Sequence, residues 1–260
     1  MGDDGNKNDS LFPAMSFGDH LEELRLRLIL VLAGVALACI VCVCFGKFII
    51  AFIEKPFIDV MGNEARLQSL APAEGIISYM NICLIAGFVL ASPWVFYQLW
   101  MFVAAGLYEK EKRYVYKAVP FSVGLFIAGA LFFIFVIAPV TLRFLVLFNR
   151  QILGVESNFT FKNYISFIML MMLVFGLSFQ TPIVVLILTK TGIVPLDAFR
   201  RWRRFVILAI VIIAASIIPG SDPFSLIALS LPMYLLYELG ILLSCISLNK
   251  KSSEQGSEES

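Results

Sequence analysis

Long apolar stretches alternate with short polar ones along this chain. Residues 28–46 carry no charge and predict a first membrane-spanning helix. Ile76–Leu107, Ala118–Leu142 and Tyr164–Thr189 predict the second, third and fourth. Val206–Ile218 predicts a short fifth, and Leu226–Ser247 a sixth that is interrupted by Glu238. About 20 apolar residues at roughly 1.5 Å each cross a hydrocarbon core of about 30 Å. The fifth run reaches only about 20 Å by the same rise. A hairpin that short must tilt, pack against longer neighbours or sit in a locally thinned bilayer. Pro93, Pro120, Pro139, Pro182 and Pro232 fall inside or at the edges of the runs. Each removes a backbone donor and can bend its helix, which favours a cupped bundle over a straight one.

Composition agrees with this pattern. Hydrophobic residues make up 60% of the 260 positions, Phe alone occurs 24 times, and charged residues reach 15%. An ordinary soluble domain has about 25% charged residues. The chain is therefore expected to be an all-α, polytopic membrane protein with six transmembrane helices. Residues 1–15 form a polar tail expected to be disordered, residues 16–247 a single membrane domain, and residues 248–260 an acidic, serine-rich tail expected to be mobile. The first apolar run lacks a small-residue cleavage site, so it reads as a retained helix.

Charge and reactive residues narrow the functional classes. A net charge of +1 gives no basic surface for nucleic acid, and one histidine argues against a histidine-rich metal centre. Cys39, Cys42, Cys44, Cys83 and Cys245 all lie in apolar runs and read as buried or lipid-facing thiols. No P-loop, dinucleotide fingerprint, serine elbow or HExxH sequence is present. The chain is not expected to be an enzyme, and no cofactor is implied.

The distribution of basic residues sets orientation. With six spans, both termini lie on one side. Fourteen Lys and Arg fall there, against six on the other. That side is expected to be the cytoplasm, or the stroma if the host membrane is a thylakoid. The segments Ala51–Gly75 and Arg143–Asn163 are then outer loops, expected to form a small cap.

Acidic residues on the basic side are what orientation leaves unexplained. In "GDHLEELRLRLI", His20, Glu23 and Arg27 share one helical face, while Leu21, Leu24 and Leu28 form another. Glu23 either pairs locally with Arg27 or is available to a cationic ligand. Glu109 and Glu111 stand in "GLYEKEKR", in the next loop on that side. Carboxylates at Glu23 and Glu111 suit a guest with adjacent arginines, whose guanidinium fork meets carboxylates bidentately. Gln180 lies in the fourth span, two residues before Pro182, and needs polar partners: a carbonyl freed by the proline bend, or a group on a partner's helix. Glu238 needs a base, a proton or water.

The stretches "HLEELRLRL", "SPWVFYQLWMFVAAGLYEKEKR", "FGLSFQTP", "IPGSDPFS" and "LPMYLLYELG" occur in an order that resembles the TatC family, the receptor subunits of the twin-arginine protein translocase. The resemblance implies a six-span, concave, glove-like bundle in the bacterial cytoplasmic membrane, powered by the proton-motive force. It implies that Glu23 and Glu111 bind the arginine pair of signal peptides on folded cargo, with Arg25 and Phe102 in the same patch. It implies structural or partner-binding roles for Pro56, Gln180, Asp222 and Glu238. The partners implied are TatA-like and TatB-like single-span subunits, membrane lipid and further copies of the receptor. Bacterial relatives commonly carry glutamate where this chain has Gln180, which hydrogen-bonds but holds no charge. Read without the resemblance, the residues leave two alternatives: a secondary transporter of a small solute, or a structural scaffold. A transporter would show paired broken helices and a midplane site, and the span pattern has no clear repeat.

Overall fold

The computed structural model describes residues 17–62, 66–106, 109–155, 158–217 and 223–258, with the side chains of 17–20, 109–114, 225 and 248–258 left out. Helix α1 (Phe17–Cys44) is followed by α2 (Gly46–Met61) and α3 (Glu74–Ala105). Then come α4 (Glu109–Phe132), α5 (Ala138–Phe148), α6 (Phe161–Ser178), α7 (Thr181–Lys190), α8 (Leu196–Ile217) and α9 (Pro223–Glu258). Among the described residues, no multi-stranded sheet forms; a single parallel bridge joins Gln68 to Thr160.

Among the described residues, five helical stretches are long and apolar enough to cross a membrane: Leu21–Cys44, Glu74–Ala105, Val115–Leu153, Phe161–Lys190 and Leu226–Ser247. They correspond to the first, second, third, fourth and sixth expected spans. The fifth corresponds to α8, whose first turns carry Asp197, Arg200, Arg201, Arg203 and Arg204. Its uncharged part is as short as the sequence indicates.

The structure departs from the sequence reading at three places. The third span does not end at Leu142. The helix continues through α5 and a π-helical turn to Leu153, and Arg143 and Arg150 ride on its exposed side. Nothing in 143–153 breaks a helix until Gly154, which takes φ 66° and ends it. The second outer loop is therefore shorter than the expected Arg143–Asn163. In the first outer loop, 46–61 form α2, with Pro56 buried inside it. At the other end of the chain, α9 runs as helix through Glu258, past the tail boundary drawn at 248.

The largest core joins α2, α3, the α4–α5 helix and α6, with Phe133, Ile134, Ile165, Ile168, Met169 and Phe175 almost fully buried. Tyr164 donates its hydroxyl proton to the Ile53 carbonyl at 2.8 Å and so docks α2 on α6. The outer cap is tied by hydrogen bonds as well. Gln68 donates to the Phe159 carbonyl at 3.1 Å and accepts from Phe161 at 2.8 Å. The buried Glu74 carboxylate accepts backbone N–H bonds from Leu70 (2.7 Å), Ala71 (3.2 Å) and Lys162 (3.0 Å). One side chain thus gathers both outer loops, the contact expected of a cap.

Helix α1 stands apart from this core. Only 11% of its most apolar window is buried, and it meets the bundle along one antiparallel seam with α3. Trp94 Nε1 donates to the Leu30 carbonyl at 3.0 Å, and Tyr79 donates to Val43 at 2.7 Å. The seam is tight because Gly34 leaves room for the Trp94 ring and Gly87 for Cys39; a Cβ at either place would collide. This seam sets the height of Glu23 against α3.

Candidate functional site

One turn separates Glu23 from Arg27 on α1, and the two side chains meet. Arg27 donates from Nε to Glu23 Oε1 at 3.0 Å and from Nη2 to the same oxygen. Its remaining nitrogen, Nη1, donates across the seam to Oε1 of Gln98 on α3 at 3.2 Å. The second Glu23 oxygen, Oε2, is buried and has no hydrogen-bond partner among the described residues. Beside this cluster lies a cavity of about 350 Å³ lined by Glu22, Glu23, Leu26 and Arg27. Arg25 points outward from α1 and is exposed. Phe102 is half-buried on α3, four residues beyond Gln98 and therefore on the same side of that helix.

Glu111 sits in the first turn of α4, just beyond the turn that follows α3. The end of α3, the start of α4 and the start of α1 share one end of the bundle. Acids in a first helical turn also favour the helix dipole. That accounts for part of the local preference at 109–111 without any ligand. The Glu111 side chain lies outside the described residues, as does Asp222.

A buried polar link holds α3, α4 and the start of α7 together below this end. Trp100 Nε1 donates to Ser122 Oγ at 2.7 Å, and Gln180 Nε2 donates to the Ser122 carbonyl at 2.8 Å. Trp100, Ser122 and Gln180 are all buried.

A sequence model described as "Sec-independent protein translocase protein (TatC)" matches residues 19–232. The chain is 32% identical over 241 residues to the Sec-independent protein translocase protein TatC of Aquifex aeolicus, covering 93% of this chain and 99% of that one. It is 30% identical over 239 residues to the protein of that name from Desulforapulum autotrophicum, covering 92% of this chain and 87% of that one. A crystal structure of the twin-arginine translocase receptor TatC superposes with a TM-score of 0.79 at 32% identity, covering 88% of this chain and 99% of that chain. The chain belongs to the TatC family.

Within this TatC-family chain, the expected residues fall into three groups. Glu23, Arg25 and Phe102 lie at one end of the α1–α3 pair, and the backbone of Glu111 lies at that same end. Gln180 and Pro56 are interior. Gln180 stands at the N-cap position of α7, at the break from α6 that Pro182 makes by lacking an N–H, and its side chain makes no cap bond there. Its amide reaches a carbonyl of α4 rather than one in its own bend, and Gln180 Oε1 is buried without a partner among the described residues. Glu238 has a base and a hydroxyl: Arg203 Nη2 donates to Oε2 at 2.8 Å, and Tyr234 donates to Oε1 at 2.6 Å. The Arg203 bond clamps α8 to α9, together with the Tyr237 hydroxyl on the Phe199 carbonyl at 2.7 Å, while the Tyr234 bond orients Glu238 within α9.

Sequence reasoning missed three residues of this TatC-family structure. Gln98 is an amide in the middle of an apolar run, the same signal that singled out Gln180. Glu74 stands at the boundary of a span, where an acid looks like ordinary surface. Arg203 is one of four clustered arginines, and nothing in the sequence distinguishes it from Arg201 or Arg204. No group of three or more His, Cys, Asp or Glu among the described residues could hold a metal.

Proposed function

We propose that this protein is the signal-peptide receptor and core subunit of a twin-arginine translocase, with Glu23 and Glu111 accepting the arginine pair. The carrying observation is a carboxylate, Glu23, at the rim of a cavity on the end of the bundle where α4 begins with Glu109 and Glu111. A guest guanidinium in that cavity meets oxygen acceptors, and the cavity floor is the Leu26 side of α1. Arg25, exposed beside Glu23, interacts with polar groups of the guest or with lipid phosphate, and Phe102 packs against the apolar residues that follow the arginine pair. The apolar signal segment then runs along the concave face.

The protein is a multi-pass membrane protein of the bacterial inner-membrane type, and its family works with TatA-like and TatB-like subunits and signal peptides. In our reading, the basic end faces the cytoplasm, the subunit hydrolyses nothing, and the proton-motive force drives transport. The short α8–α9 hairpin, held by Arg203–Glu238, offers a wall for single-span partners and for further copies of the receptor. Asp222 falls between these two helices in the sequence, outside the described residues. Pro56 and Gln180 serve the framework that holds this wall.

The test is capture of a twin-arginine signal peptide by the full chain in nanodiscs. Glu23→Gln with Glu111→Gln is expected to abolish capture while thermal unfolding stays close to that of the parent. Equal capture by parent and double variant sinks the docking assignment.

A further inference from the structure

We infer that Arg27, steadied by Gln98, is a built-in guanidinium that occupies Glu23 until a guest arginine displaces it. The inference rests on the docking role proposed for Glu23.

Three observations carry it. First, the Glu23 carboxylate is already engaged by a guanidinium, through Nε and Nη2 of Arg27 on one oxygen. This is the chemistry a guest arginine would offer. Second, the pair is fixed from outside α1. Gln98 is 4% exposed, and its amide oxygen accepts from Arg27 Nη1 at 3.2 Å, so the fork is stretched between two helices. An ordinary surface pair one helical turn apart has no such third member. Third, the arrangement is incomplete. Glu23 Oε2 is buried without a partner among the described residues, although Glu23 and Arg27 both line the open cavity. A carboxylate in its best place would satisfy both oxygens. Turning it toward a guest in the cavity restores that missing bond, which keeps the resting pair from being too stable to open.

The consequence is competitive. A partner on the same helix is always present, so every cationic guest faces the same intramolecular rival. The rival lowers affinity without changing the preference for arginine over lysine. That preference comes from guanidinium geometry at the carboxylates. Arg27 thereby keeps weakly cationic segments off the receptor and leaves the site to guests that supply a second arginine and an apolar segment.

The experiment measures binding of a labelled twin-arginine signal peptide, and of its lysine–lysine counterpart, to the full chain in nanodiscs. Arg27→Gln is expected to tighten both peptides by about tenfold, the size of one charge-assisted contact in a partly exposed place. Arg27→Lys keeps the charge but loses the fork, and is expected to tighten both by about threefold. Gln98→Met conserves volume and leaves Arg27 in place without its anchor. It is expected to tighten binding by about twofold, a single neutral acceptor being worth less than a charged one. It carries the test if Arg27→Gln lowers the thermal midpoint.

Weaker binding by Arg27→Gln overturns the inference, because Arg27 would then be support for Glu23. Tightening by Arg27→Gln with none by Arg27→Lys or Gln98→Met also overturns it, since general charge repulsion would suffice. Glu23→Gln separates the two levels: if it leaves peptide binding unchanged, the docking role itself is wrong.

Discussion

The Trp100–Ser122 hydrogen bond allows a quantitative test of how α3 is held to α4. Both groups are buried, Ser122 completely, and the 2.7 Å bond joins two spanning helices near the end that carries Phe102 and Glu111. Ser122→Ala leaves the indole N–H without an acceptor, and Trp100→Phe leaves the hydroxyl without a donor. An orphaned buried polar group costs about 1–3 kcal/mol. Trp100→Phe also removes ring volume and adds a packing loss, so the single substitutions overstate the bond. The informative quantity is the coupling in a double-mutant cycle. Interhelical hydrogen bonds in membrane bundles average about 0.6 kcal/mol and reach about 1.7. Short geometry and complete burial put this one in the upper half of that range, at about 1 kcal/mol. The assay is reversible unfolding of the four proteins in mixed micelles. Coupling below about 0.3 kcal/mol, the usual additivity error, would refute the assignment of this bond as a helix tie.

Two further outcomes follow from the outer cap. Glu74→Ala removes the acceptor shared by Leu70, Ala71 and Lys162, so limited proteolysis should cut between residues 66 and 71 faster than in the parent. An unchanged cleavage rate would show that the Gln68–Thr160 bridge suffices alone. Burial pushes the Glu54 carboxyl of α2 above the ordinary carboxylate range. The folded protein therefore holds that proton more firmly than the unfolded chain, and its contribution is complete below the ordinary carboxyl pKa and lost as pH rises through the raised value. Glu54→Gln should match the parent in acid and exceed its thermal midpoint at neutral pH. A variant that is less stable at neutral pH would contradict this.

Much of the architecture was legible in the apolar runs, since lipid leaves a spanning segment no option but helix. Outside the hydrocarbon that constraint is gone, and the sequence became less informative there. Residues 143–153 contain Arg143, Asn149 and Arg150 and read as loop, yet they continue a helix because nothing in them breaks one before Gly154, and Phe144 stacks on Phe224 of α9. Residues 51–61 of the expected outer loop were not read as helix for the same reason, yet they belong to α2. In the site, Glu23 and Arg27 were readable as neighbours because the pair is local. Gln98 was not, because joining it to Arg27 requires the register of α1 against α3. That register depends on where Gly34 admits the Trp94 ring, a matter of shape that hydropathy does not encode.

The isolation of α1 has a consequence for how the protein is made. Its packing is mainly against α3, and among the described residues those that position Glu23, from Arg27 to Gln98 and Trp94, belong to the first 105 residues of the chain. The two helices can close on each other once both have entered the bilayer, before α4 has packed against them. The Glu23–Arg27 pair and its Gln98 anchor are therefore set in register by the first two spanning helices, whatever the later spans do.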